Sequence, residues 1–293
     1  MAEWQDRFWN SEDGLRLHYR DYAGPADQPP ILCLPGLTRN ARDFEAVARR
    51  LAGAWRVIAI DFRGRGESQH DPDPANYKPK TYAKDVLKLL DQLGIADAVF
   101  FGTSLGGLVT MLLAASDSER IAGALINDIG PLVEPVAIER LRKYVGKGGR
   151  WASWAEAGEA AASINRLAFP HYTASDWEVF ARRLCSERAD GGIQPDYDMA
   201  IGQAFASNSG ALDFDPWPLL EGLADKPVLI VRGELSDLLS TQTATRMVAM
   251  LPKAELVTIP GVGHAPMLDE SGAIAGIDRL LARVLQENEV EAG

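Results

Sequence analysis

A chain of 293 residues can hold one large domain or two modest ones around a sizeable core. An apolar share of 46% and a charged share of 24% exclude a disordered chain, and no apolar run approaches the roughly 20 residues of a membrane helix. The net charge of −11, with both signs interspersed, argues against nucleic acid or a membrane as partner.

The opening "MAEWQDRFWNSEDG" is acidic and broken by polar residues, unlike a signal peptide. "RFWN", the turn "SEDG" and "LRLHYRDY" then read as a hairpin. "PILCLPG" reads as a short buried strand, and Asn40 as the N-cap of a helix beginning near Ala41. "RVIAID" is a further buried strand, and "TYAKDVLKLLDQLG" an amphipathic helix closed by Gly94. "AVFFG", a helix after Ser104 and the strand "IAGALIND" continue the alternation. Strands alternating with helices imply a mostly parallel sheet covered on both faces.

From about residue 130 to 216 the alternation stops, and the chain is rich in Trp, Ala and charge with helical periodicity. "RADGGIQPDYD" within it reads as a loop. "PVLIVRG", a helix around "TQTATRMVAML", the strand "AELVTIPG" and a last helix from about Asp269 to Glu287 resume the pattern. The simplest organisation is one α/β core, residues 1–130 and 217–293, interrupted by a helical insertion, residues 131–216. Cys33 and Cys185 give neither a disulfide framework nor metal-ligand spacing, so a cytoplasmic protein is expected.

Gly102-Thr103-Ser104-Leu105-Gly106 matches G-x-S-x-G between a strand and a helix, the context that motif requires. Neighbours without Cβ let strand and helix approach closely, so the serine hydroxyl stands clear at a helix N-terminus. A serine needs a base and a group that orients the base. Of four histidines, His18 lies in the hairpin, His70 in a Pro/Asp-rich loop and His171 in the insertion. His264, in "IPGVGHAP", follows the last expected strand and reaches the sheet edge that carries Ser104.

The orienting acid should come from another such loop. "VLIVRGELSDLLS" offers Glu234 and Asp237, and Asp237 is favoured because Ser104, Asp237 and His264 then follow the Ser–Asp–His chain order. Asp128, ending "ALIND", is the alternative. Backbone N–H groups of Leu105 and of Leu37, in "CLPGLTRN", are candidate oxyanion donors.

"LPGLTRNARDF", "DFRGRGES", "GTSLGG", "RGELSD" and "GVGHAP" together make the chain resemble the α/β-hydrolase fold superfamily over almost its whole length. The resemblance implies a mostly parallel eight-stranded sheet, a helical cap after the sixth strand, and neither cofactor nor metal. Many relatives carry His-Gly where this chain has Pro35-Gly36, so the support of that turn is expected to differ. Serine at the elbow points to acyl transfer from a small-molecule substrate to water, by a monomer or homodimer. Ester or lactone hydrolysis is the leading reading. A carbon–carbon hydrolase, a proline-iminopeptidase-like peptidase with cap carboxylates holding an amine, and a non-catalytic binding homologue are the alternatives. Trp151, Trp154, Phe169 and Trp177 of the insertion are candidate pocket residues.

Overall fold

The computed structural model describes residues 4–207 and 215–292, the side chains after residue 287 excepted. The hairpin β1 (Trp4–Asn10) and β2 (Arg16–Tyr22) is followed by β3 (Ile31–Leu34), α1 (Glu45–Leu51), β4 (Val57–Ile60) and α2 (Pro79–Leu93). Asn40 caps the short turn of helix that leads into α1, its side chain accepting the Arg42 N–H. α2 begins two residues ahead of "TYAKDVLKLLDQLG", with Pro79 in its first turn, where a missing N–H costs no bond. It closes at Gly94, whose φ of 63° suits a residue without Cβ.

β5 (Ala98–Thr103), α3 (Leu105–Ser116) and β6 (Ile121–Asn127) follow. The chain then leaves the sheet for α4 (Pro135–Arg142), α5 (Trp154–Asn165), α6 (Ala174–Leu184), the small hairpin β7 (Cys185–Glu187) and β8 (Ile193–Pro195), and α7 (Ile201–Ser207). It returns with β9 (Val228–Gly233), α8 (Thr241–Met250), β10 (Ala254–Ile259) and α9 (Ser271–Ala292). The stretch that reads as loop in the sequence holds β8, which pairs with β7 just before it; strands of three residues are too short to show an alternation.

The eight-stranded sheet runs β1-β2-β4-β3-β5-β6-β9-β10, antiparallel across β1–β2–β4 and parallel from β4 onward. This is the α/β-hydrolase architecture. Its central strands are mostly apolar because both faces are covered. In β3, Leu32 and Leu34 face one core while Ile31 and Cys33 face the other; β5 divides likewise into Phe100 and the pair Val99 and Phe101. The first core is closed by α2, α3 and α8, the second by α1 and α9. Among the described residues no helix is long and apolar enough to cross a membrane.

Parallel strands deliver all their carboxyl ends to one edge of the sheet. β5, β6, β9 and β10 are consecutive there, so the loops that follow them meet.

Candidate active site

Ser104 stands between β5 and α3 with φ 52° and ψ −114°, a backbone region that side chains rarely adopt. The glycines of the motif make that turn possible. A Cβ on Gly106 would lie 2.0 Å from the Leu34 carbonyl oxygen, and one on Gly102 would lie 2.6 Å from the Gly106 backbone. The Ser104 N–H donates to the Asn127 carbonyl at 2.9 Å, which ties the turn to β6.

His264 Nε2 lies 3.0 Å from Ser104 Oγ, and its Nδ1 lies 2.8 Å from Asp128 Oδ2. Asp128 is fully buried and also accepts from the Gly233 N–H at 2.8 Å and the Ser236 hydroxyl at 2.7 Å. Three donors therefore fix its carboxylate. With Nδ1–H turned to the carboxylate, Nε2 is left to accept from the serine hydroxyl.

The favoured position for the acid is thus corrected. Asp237 does follow β9, but its carboxylate takes a fork of hydrogen bonds from Arg140 of α4, at 2.6 and 2.8 Å. Burial works against its ionisation, yet those bonds hold its carboxyl below the usual aspartate range. The physical reason is adjacency: β6 and β9 are hydrogen-bonded neighbours, so either strand end can face the imidazole. Chain order does not distinguish them.

The Pro35-Gly36-Leu37 turn lies against the serine, since a Cβ on Gly36 would stand 3.7 Å from Ser104 Cβ. Buried Arg65 grips the turn, donating twice to the Leu37 carbonyl at 3.0 and 2.9 Å. That guanidinium is further held by the Arg63 carbonyl and the Tyr82 hydroxyl, at 2.7 and 3.0 Å. The altered support expected at this turn is therefore Arg65, from the "DFRGRGES" stretch. The Leu105 N–H is the first of α3, where no intrahelical acceptor exists.

A cavity of about 390 Å³ opens over Ser104 and His264, walled by both the sheet-edge loops and the insertion. Trp151 and Phe169 line it. Trp154 and Trp177 do not. Trp177 packs edge-on with Phe169, Tyr172 and Phe180 inside the insertion, and Trp154 lies under the Arg182 guanidinium. The sequence reading passed over Ile164, Met267, Tyr144 and Tyr197, which also line the cavity. It also passed over Asn127, whose amide donates to the Pro266 carbonyl at 2.8 Å and steadies the His264 loop. A polar residue ending an otherwise apolar strand was the available signal for Asn127. Nothing in the insertion's helical periodicity separates wall from packing.

A hydroxyl, an imidazole and a buried carboxylate in hydrogen-bonded series form an arrangement able to activate the hydroxyl as a nucleophile. Among the described residues no cluster of potential ligands could hold a metal ion.

The chain is 34% identical over 271 residues to 3-hydroxybutyrate-oligomer hydrolase of Cupriavidus necator, covering 89% of this chain and 90% of that protein. It is 30% identical to 2-(acetamidomethylene)succinate hydrolase of Mesorhizobium japonicum, over 80% of this chain and 81% of that one. The crystal structure of an α/β hydrolase from Novosphingobium aromaticivorans is similar at 51% identity and a TM-score of 0.92, over 97% of this chain and 99% of that chain. Residues 31–277 match the alpha/beta hydrolase family, and the chain belongs to that family.

Proposed function

We propose that this hydrolase cleaves small carboxylic esters or lactones through an acyl-enzyme formed on Ser104. The observation that carries the reading is the hydrogen-bonded series from Ser104 through His264 to buried Asp128, at 3.0 and 2.8 Å, with Ser104 and His264 lining the cavity. His264 Nε2 takes the hydroxyl proton as Ser104 Oγ bonds to the acyl carbon. Asp128 stabilises the resulting imidazolium. The Leu37 and Leu105 N–H groups receive the charge that develops on the carbonyl oxygen. As the tetrahedral centre collapses, the bond between the acyl carbon and the alcohol oxygen breaks, and the leaving oxygen takes the proton from His264. Water then repeats the sequence on the acyl-enzyme, giving up a proton to His264 and releasing the acid while Ser104 regains its hydrogen. The segment 131–216 acts as a cap that excludes solvent and sets the shape of the acyl site.

Similarity to a hydrolase named for an oligomer of a hydroxy acid supports an ester substrate, because such oligomers are joined by ester bonds. The second relative's name describes a succinate derivative, so both names point to substrates that carry carboxylates. A peptidase that binds a substrate amine is less well supported. Of the insertion's acidic residues, Asp190 pairs with Arg150 and Asp196 with Arg42, and neither lines the cavity.

The test is a fluorophosphonate probe together with a substrate panel of p-nitrophenyl esters, lactones, a ring-cleavage dienoate and proline p-nitroanilide. Labelling at Ser104, turnover of esters, and loss of both in Ser104→Ala are expected. Undiminished ester turnover by Ser104→Ala would refute the nucleophile, and preferential cleavage of the dienoate would move the protein to carbon–carbon hydrolysis.

A further inference from the structure

Four cationic side chains reach the cavity wall: Arg39, Arg140, Lys143 and Lys147. Both arginines already meet carboxylates. Arg39 donates to Asp43 through two bonds of 2.6 Å, and Arg140 is taken by Asp237. The lysines differ. They are exposed while lining the cavity, so they stand at its mouth, and among the described residues no carboxylate pairs with either.

Among the described residues the charge of the wall is therefore unbalanced. Asp43 is its acidic residue, and Arg39 neutralises it. Two positive charges are left at the rim of a cavity in a protein whose net charge is −11. A cationic rim on an acidic protein is a local feature of this opening, and such a rim draws anions toward the opening.

We propose that Lys143 and Lys147 recognise a carboxylate that the substrate carries beyond its scissile ester. The reading rests on the ester-hydrolase assignment of the site below. With the ester carbonyl at Ser104, a carboxylate at the end of the substrate that faces the mouth would meet the lysine rim, and Ile164 and Met267 offer apolar wall to the rest. The substrate class is then the carboxylate-terminated ester, as in linear dimers of hydroxy acids and hemiesters of dicarboxylic acids. Exposed pairings are individually modest, so the two lysines together should contribute about five- to tenfold in selectivity.

The probe pair is the linear dimer of 3-hydroxybutyrate and its methyl ester, which differ at that end in the charge and one methyl group, and cleavage of the shared internal ester alone is scored. Wild-type kcat/KM should favour the acid, and the preference should shrink as salt is raised. Lys143→Gln with Lys147→Gln should lower the acid-to-ester ratio about five- to tenfold, and the double arginine variant should restore it. Calorimetric binding of the same two compounds to Ser104→Ala protein, with and without the lysine changes, reads recognition apart from turnover. An acid preference that is absent in wild type, or that survives in the double glutamine variant, overturns the proposal. If neither compound is hydrolysed but Ser104→Ala protein still binds the acid preferentially through the lysines, the ester chemistry fails and the recognition stands.

Discussion

Two members of the hydrogen-bonded series, Ser104 and Asp128, sit at φ 52° and 55°, where a residue with a Cβ is strained by about 1–3 kcal/mol. Each is held by its amide, Ser104 to the Asn127 carbonyl and Asp128 to the Val231 carbonyl, so the sheet itself enforces the strained turns. The division of labour between the two aspartates gives a direct expectation. Asp128→Asn should lower kcat on a p-nitrophenyl ester by about 10⁴, because an amide no longer selects the needed imidazole tautomer. Asp237→Asn should have a far smaller effect on kcat, since its partner is Arg140. Steady-state kinetics on both variants decides it, and the reverse ranking would return the acid to the loop after β9. Ser104 and His264 were legible in the sequence because each follows a strand within a short, distinctive turn. The acid was not, because two neighbouring strands both end near an aspartate and only three-dimensional spacing separates them.

At the scale of elements, the hairpin β1–β2 is clamped to the loop after β4 by His18. Its Nδ1 lies 2.7 Å from Asp61 Oδ2 and its Nε2 2.9 Å from Asp6 Oδ1. Burial opposes protonation, but the Asp61 bond and charge, joined by Asp6, raise the His18 pKa above its ordinary 6.5. The same Asp61 carboxylate accepts the Ala41 and Glu67 N–H groups, so the clamp also braces the loop bearing Leu37. A raised folded-state pKa stabilises fully below the unfolded value and fades as pH rises through the folded one. The urea midpoint should therefore fall as pH rises past the ordinary imidazole range near 6.5, and His18→Gln should lack that component. Equal slopes for the two proteins would remove the clamp from the account. The hairpin and the buried strands were readable because their alternation or apolar runs match their surroundings. The insertion's helices were readable as helices, but which of their faces lines a cavity depends on contacts with distant loops.

Across the whole molecule, several contacts join the insertion to the sheet edge. Arg42 meets Asp196 at 2.7 Å, the Tyr77 hydroxyl donates to Asp198 at 2.6 Å, and Asn40 donates to the Arg183 carbonyl at 3.0 Å. The Gly66 N–H reaches the Asp196 carbonyl at 3.0 Å, and Arg140 bridges to Asp237 on the far side of the opening. Links on both sides predict that insertion and core unfold together. Trp151, Trp154 and Trp177 lie in the insertion and Trp4, Trp9, Trp55 and Trp217 outside it. Tryptophan fluorescence and far-ultraviolet circular dichroism should then give coincident urea transitions, whereas an earlier fluorescence change would mean a separately melting insertion. The places where this insertion departs and returns, β6 and β9, are paired strands, with Ala124 opposite Val228 and Asn127 opposite Val231. The core thus meets the whole excursion as a crossover that leaves the carboxyl end of β6 and re-enters at the amino end of its neighbour β9. Doubling such a connection costs only about 0.6 kcal/mol in closure entropy. Length and composition can drift there under weak thermodynamic restraint while Asp128, at the root, keeps its register. Over evolutionary time the geometry of bond breaking and the choice of what is broken are free to change at different rates.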